Sequence, residues 1–190
     1  MKKTMVIIAG LIAIGIVAVG LLAAGKPDEF MASHSIKIHA PAESIFPLIN
    51  NLRNWHDWSP YESKDPHMKR TFSGPQEGKG AGYQWSGDDN VGAGSMEIIA
   101  VTEPSKVKLN LHFTRPFEGS NIVDFSLVPE GNDTRVTWAI HGPNSFISKV
   151  IQLFINVDEM MRQDFSNGLT KLKCRVEGLK WPQTGIEIDK

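Results

Sequence analysis

The residues Gly78-x-Gly80-x-Gly82 have the glycine spacing of a phosphate-cradling loop, and His56-Asp57, between Trp55 and Trp58, sets an imidazole beside a carboxylate. Each grouping makes a demand on its surroundings. A phosphate or dinucleotide loop must follow a strand and open a helix, whose N-terminus then holds the anion. Here a strand pattern follows the glycines and no Gly-Lys-Ser/Thr is present, so they are expected to shape a turn. A zinc site needs three or four converging ligands, often histidines three or four apart on one element. His34, His39, His56, His67, His112 and His141 show no such spacing. His34 and His39 are five apart on a strand and so face opposite ways. No metal and no other cofactor is expected. No nucleophile elbow surrounds a serine, and Cys174, the single cysteine, lies among helix-forming residues without an evident histidine partner. Glu97, Asp124 and Arg115 are left as acid–base candidates. Alternation puts Asp124 opposite Phe125, on the solvent side, and these charges are read as a solvated sheet surface.

The aromatic and methionine residues carry more. Tyr83, Trp85, Met96, Leu109, Phe113, Phe125, Trp138, Met161 and Phe165 fall on the apolar faces of their segments. At least half are expected to be plain core. The rest are expected to line a cavity, because a strongly curved sheet does not close completely on one helix. Such pockets are mostly apolar with a few placed polar groups and run to ~300–1,000 Å³. Tryptophan and tyrosine add a polar handle to a large apolar area, and methionine adapts to varied shapes.

The elements that must place these residues can be read from periodicity. Ile36 and Ile38 alternate with polar residues in a first strand, and Pro41 then opens a brief helix through Ile49. Residues 50–59 read as a second short helix or turn. Strands follow over 69–73, 80–86, 95–101, 106–113, 121–128 and 134–140; in the fourth, Val107, Leu109, Leu111 and Phe113 alternate with Lys106, Lys108, Asn110 and His112. After Gly142-Pro143 the period changes. Phe146, Ile147, Val150, Ile151, Phe154, Met161, Phe165, Leu169, Leu172 and Val176 recur at helical steps, predicting one long amphipathic helix, bent near Asn156. Consecutive antiparallel strands with segregated helices make an α+β fold.

Residues 5–25 contain no charge; as a helix they span ~30 Å, the thickness of a bilayer's hydrocarbon core. Lys2 and Lys3 precede them, which puts the N-terminus in the cytoplasm and residues 26–190 on the other side. The stretch exceeds the usual ~7–15-residue signal core, so a retained anchor is preferred, with cleavage after Ala23-Ala24-Gly25 as the alternative. The expected place is a bacterial inner membrane, single-pass, with the domain periplasmic; cleavage would make it periplasmic or secreted. Removing those two lysines from the total leaves 18 basic against 21 acidic residues, about −3, and no basic face for nucleic acid. The chain divides as anchor 1–25, linker 26–32, domain 33–178 and tail 179–190.

The segment Ile38-His39-Ala40-Pro41-Ala42-Glu43-Ser44-Ile45-Phe46 resembles the first strand and helix of the START-like (SRPBCC) superfamily, in its polyketide cyclase/dehydrase branch. Asn54-Trp55-His56-Asp57-Trp58-Ser59-Pro60-Tyr61 is similar to that branch's Trp-Ser-Pro-aromatic segment, with Asp65-Pro66 after it. Phe72-Ser73-Gly74-Pro75, Gly78-Lys79-Gly80 before Trp85, Thr134-Arg135-Val136-Thr137-Trp138 and Asp164-Phe165 with Gly168-Leu169 continue the match. The resemblance covers about residues 33–178. It implies the Bet v 1-like helix-grip fold, an antiparallel sheet of six or seven strands wrapped around a C-terminal helix and a cavity, with two short helices after the first strand. It also implies a hydrophobic small molecule or lipid as ligand, adds Trp58 to the ligand-binding candidates, and supplies no shared catalytic set. The expected function is therefore a membrane-anchored binding protein. An enzyme of cyclase, dehydratase or hydrolase type in the same cavity is the alternative. Nothing in the sequence sets the oligomeric state.

Overall fold

The computed structural model describes residues 2–181; residues 182–190 of the expected tail lie outside the described residues. Helix α1 runs from Lys2 to Ala24, is long and apolar enough to cross a membrane, and is exposed along almost all of its length. Strand β1, Glu29–Ile38, begins inside the segment expected as linker. Pro41 then takes the N-cap position of α2, Ala42–Asn50. Asn51 follows, its side chain accepting from the Arg53 N–H to cap a 3₁₀ turn over Leu52–Asp57. Pro60 opens a third helical piece, α3, Pro60–Lys64. Three helical pieces thus stand where two were expected, because a proline in the first turn starts a helix as readily as it ends one.

Six strands follow: β2 Lys69–Ser73, β3 Gly82–Ser86, β4 Ala93–Thr102, β5 Lys106–Arg115, β6 Gly119–Glu130 and β7 Asp133–Pro143. All pairs are antiparallel, in the order β1-β7-β6-β5-β4-β3-β2. Side chains alternate across the sheet, so Val107, Leu109 and Leu111 of β5 are buried while Lys106, Lys108 and Asn110 face out. Gly78 and Gly80 hold positive φ in the β2–β3 turn, as does Gly74, whereas Gly82, the third glycine expected to shape that turn, is the first residue of β3.

The expected single C-terminal helix is two. Helix α4 covers Phe146–Ile151 and α5 covers Val157–Glu177. The break has a local cause: the Asn156 side chain accepts from the Glu159 N–H and starts a new helix, whose first turn also carries Asp158 and Glu159. Only the second helix continues the core stripe. Phe165, Leu169 and Leu172 are buried on α5, whereas Phe146, Ile147 and Phe154 are exposed. Helix α5 packs on β1 and also touches β7, α2, α3 and the 3₁₀ turn, giving a helix-grip α+β domain.

Candidate functional site: an aromatic cavity between sheet and helix

Between the concave face of the sheet and the first half of α5 lies a cavity of about 240 Å³. Its floor comes from alternate residues of the inner strands: Tyr83 and Trp85 of β3, Met96 of β4, and Leu109, Leu111 and Phe113 of β5. Met161 and Phe165, one helical turn apart on α5, close it from the other side, with Trp138 of β7 beside them. Eight of the ten candidates therefore line one cavity. Trp58 and Phe125 do not line it. They are fully buried beneath Trp138, with ring centroids 5.6 and 5.1 Å from it, and form the packed floor on which the lining rests.

The aromatic rings lock one another. Trp138 stacks on Phe165 with centroids 4.4 Å apart, and Trp85 meets Phe113 edge-on at 5.6 Å. Two glycines make room for this. A side chain on Gly168 would stand 2.8 Å from both the Trp138 ring and Pro60, and one on Gly94 would stand 2.6 Å from the Trp85 ring. A glycine inside a helix costs ~1 kcal/mol relative to alanine. At Gly168 that cost is offset by the close approach of α5 to Trp138.

Polar groups at the cavity are few and mostly engaged. Glu62 of α3 accepts from Tyr83 Oη at 2.9 Å and from Arg70 at 2.7 and 2.6 Å. This salt bridge holds Arg70 charged above its ordinary value. Burial, with the Glu62 charge adding, pushes the Tyr83 hydroxyl well up, and burial does the same to Tyr61. Both hydroxyls thus hold their protons at neutral pH and can donate hydrogen bonds but not act as bases. Trp55, Trp58 and Trp85 each donate to a backbone carbonyl at 2.9–3.0 Å. Trp138 does not: among the described residues its Nε1 is buried without a partner. A buried donor left unpaired costs ~1–3 kcal/mol.

The rim is ordered too. Asp65 accepts from the N–H groups of His67 and Asp88, each at 2.9 Å, and Arg115 donates to the Gly87 carbonyl at 2.5 Å, fixing the β3–β4 turn over the cavity. Sequence reasoning missed Tyr61, Glu62 and Arg70, because they belong to or contact a five-residue helix too short to show a period. It also passed over Leu111, although the alternation that singled out Leu109 and Phe113 includes it. Among the described residues no three His, Cys, Asp or Glu side chains group so as to hold a metal ion.

A family model described as "Polyketide cyclase / dehydrase and lipid transport" matches residues 30–177. No curated protein matches the sequence. Solved structures share the fold at low identity. A protein from Mesorhizobium loti is 14% identical with a TM-score of 0.58, over 80% of this chain and 100% of its own. A protein from Staphylococcus epidermidis is also 14% identical at 0.58, over 85% and 97%. The Aha1 dimer from Colwellia psychrerythraea is 17% identical at 0.55, over 78% and 96%.

Proposed function

This chain belongs to the polyketide cyclase / dehydrase and lipid transport family, and on that premise we propose that it is a membrane-anchored binding protein whose domain, residues 33–178, takes a hydrophobic small molecule or part of a lipid into its cavity. One observation carries the reading: a cavity of about 240 Å³ walled by interlocked aromatic and aliphatic side chains. A designed apolar cavity of ~150 Å³ stays dry and binds benzene, so a larger one of the same chemistry favours an apolar guest over water. The ligand-binding residues are Tyr83, Trp85, Met96, Leu109, Phe113, Trp138, Met161 and Phe165. Trp58 and Phe125 support them from below. The Glu62 carboxylate is already bonded to Tyr83 and Arg70, which favours binding over turnover. In this reading α1 is retained as a single-pass anchor in a bacterial inner membrane, with Lys2 and Lys3 on the cytoplasmic side and the domain periplasmic.

Native mass spectrometry of the full chain released from its own membrane tests both parts. The expected species carries an uncleaved N-terminus and a non-covalent small molecule that activation strips off. An intact chain that arrives empty, and that takes up nothing from a lipid and aromatic library, refutes the binding role. A mass lacking about the first 25 residues refutes the anchor.

A further inference from the structure

Among the described residues, five of the nine large apolar side chains that the folded domain leaves exposed gather at one end. Strand register defines that end: Glu29 pairs with Pro143, Phe113 with Gly119, Ala93 with Arg115 and Ser86 with Ala93. Phe117 sits at the tip of the β5–β6 turn there. Phe146 and Ile147 of α4, and Phe154 and Ile155 after it, stand at the adjoining exit of β7. All five are 49–73% exposed. The cavity reaches the same end, since Asp89, Asn90, Arg115 and Pro116 of these turns line it.

The anchor helix arrives at this end as well. Its last turn packs on α4, where Ala23 is fully buried. Asn144 donates from Nδ2 to the Pro27 carbonyl at 3.0 Å and from its backbone N–H to the Asp28 carbonyl at 2.7 Å, and Lys149 Nζ donates to the Asp28 carboxylate at 2.5 Å. Only Gly25 to Asp28 separate α1 from β1, a reach of at most ~14 Å even fully extended. The domain is thus held close to the foot of α1 and tied to it.

We propose that this face rests in the membrane interface, with Phe117, Phe146, Ile147, Phe154 and Ile155 entering the boundary between headgroups and acyl chains, so that the cavity exchanges its ligand with the bilayer surface. The inference rests on reading α1 as a retained span. A helix and turns laid on a bilayer bury apolar side chains ~5–10 Å into that boundary. Charges around the patch are mixed: Lys26, Glu29, Glu118, Asp158 and Arg162, with Lys149 engaged by Asp28. Docking is therefore apolar and does not require anionic lipid.

The test uses the full chain reconstituted in phosphatidylcholine vesicles whose acyl chains are brominated near the headgroup. Phe117→Cys, Ile147→Cys, Phe154→Cys and Val128→Cys, each in a Cys174→Ser background, carry an environment-sensitive fluorophore. Val128 is equally exposed but lies at the opposite end, paired with Arg135. Flotation is scored first. Expected is co-flotation of every variant, with the first three labels quenched several-fold more strongly than the Val128 label. Co-flotation with all four labels quenched alike overturns the interfacial face while leaving the anchored cavity standing. Blue-shifted labels that brominated lipid fails to quench mean that a second copy covers the patch, and also overturn it. A chain that does not float overturns the anchor and this inference together.

Discussion

Leu111→Phe is the sharpest test of whether the cavity is real space. Leu111 is buried in β5 and faces the cavity, in register with Met96. In a close-packed core a larger side chain forces strained rotamers and costs ~1–3 kcal/mol. Facing a void, the added ring carbons bury without displacing anything, at ~0.8 kcal/mol per methylene equivalent. The ceiling is high: at ~24 cal/mol per Å³, an empty space of about 240 Å³ forfeits ~6 kcal/mol relative to a filled one. A gain of ~1–2 kcal/mol is therefore expected, and Leu127→Phe supplies the contrast. Leu127 is as deeply buried but lies outside the cavity wall, so its enlargement is expected to cost ~1–3 kcal/mol. The assay is thermal unfolding of the delipidated full chain in amphipol, followed by tryptophan fluorescence. At ~2–4 °C per kcal/mol for a domain of this size, the two variants move Tm in opposite directions by several degrees. The same Leu111→Phe protein loses affinity for a fluorescent apolar probe. Equal destabilisation by both substitutions, with unchanged probe binding, refutes the cavity.

Gly168→Ala removes a helix-interior glycine, worth ~1 kcal/mol, but sets a methyl 2.8 Å from Trp138 and Pro60; net loss of ~1–2 kcal/mol by urea unfolding is expected, where a gain would mean that α5 is not held this close. Trp138→Phe deletes a buried N–H that has no partner among the described residues, so by urea unfolding stability falls by less than the ~3–5 kcal/mol typical of truncating a core tryptophan to alanine; a loss of that full size would mean that the N–H is paired. Burial, with Arg162 adding, holds His34 below its ordinary value of 6.5. The unfolded chain then binds the extra proton, so stability is full above pH 6.5 and falls as pH drops through that value toward the folded one. His34→Gln is expected to flatten this part of the Tm–pH profile, and an unchanged profile refutes it. In a homologous series of straight-chain alcohols, affinity from probe displacement is expected to rise about fourfold per methylene and level off near eight carbons; a rise that continues unbroken to sixteen contradicts a cavity of about 240 Å³.

The sequence made the sheet legible because strand burial imposes a period of two that survives without any alignment. Val107, Leu109, Leu111 and Phe113 tell which side chains of β5 face inward, and burial follows that alternation through Leu111. The same reading failed at α4. Phe146, Ile147 and Phe154 keep a helical step with Met161 and Phe165, yet they are exposed: periodicity reports which residues share a face, not what that face meets. Asn156 carried the signal for the break, since an asparagine followed by two acids is a helix start as much as a helix bend. For the cavity, residue type marked the wall but could not separate lining from floor. Trp58 and Trp138 are both buried tryptophans, and only the three-dimensional packing puts one under the other. Glu62 and Arg70 were invisible because their partnership joins a five-residue helix to a strand across a loop.

The volume constrains the ligand more tightly than residue types alone. At ~30 Å³ per water-sized group, about 240 Å³ admits roughly eight methylenes, not the ~15 that binding by chain burial alone would require for micromolar affinity. Eight contribute ~6 kcal/mol, against an association cost of at least ~4. A free amphiphile of that size is held weakly unless stacking on Trp138 and Phe165 adds to it. A lipid whose remaining chain stays in the bilayer escapes this limit. Its loss of translational freedom has already been met on partitioning, and only the inserted end must find room. On the proposed reading, that is the case for which a small aromatic cavity, turned toward the foot of the apolar helix α1, is the right size.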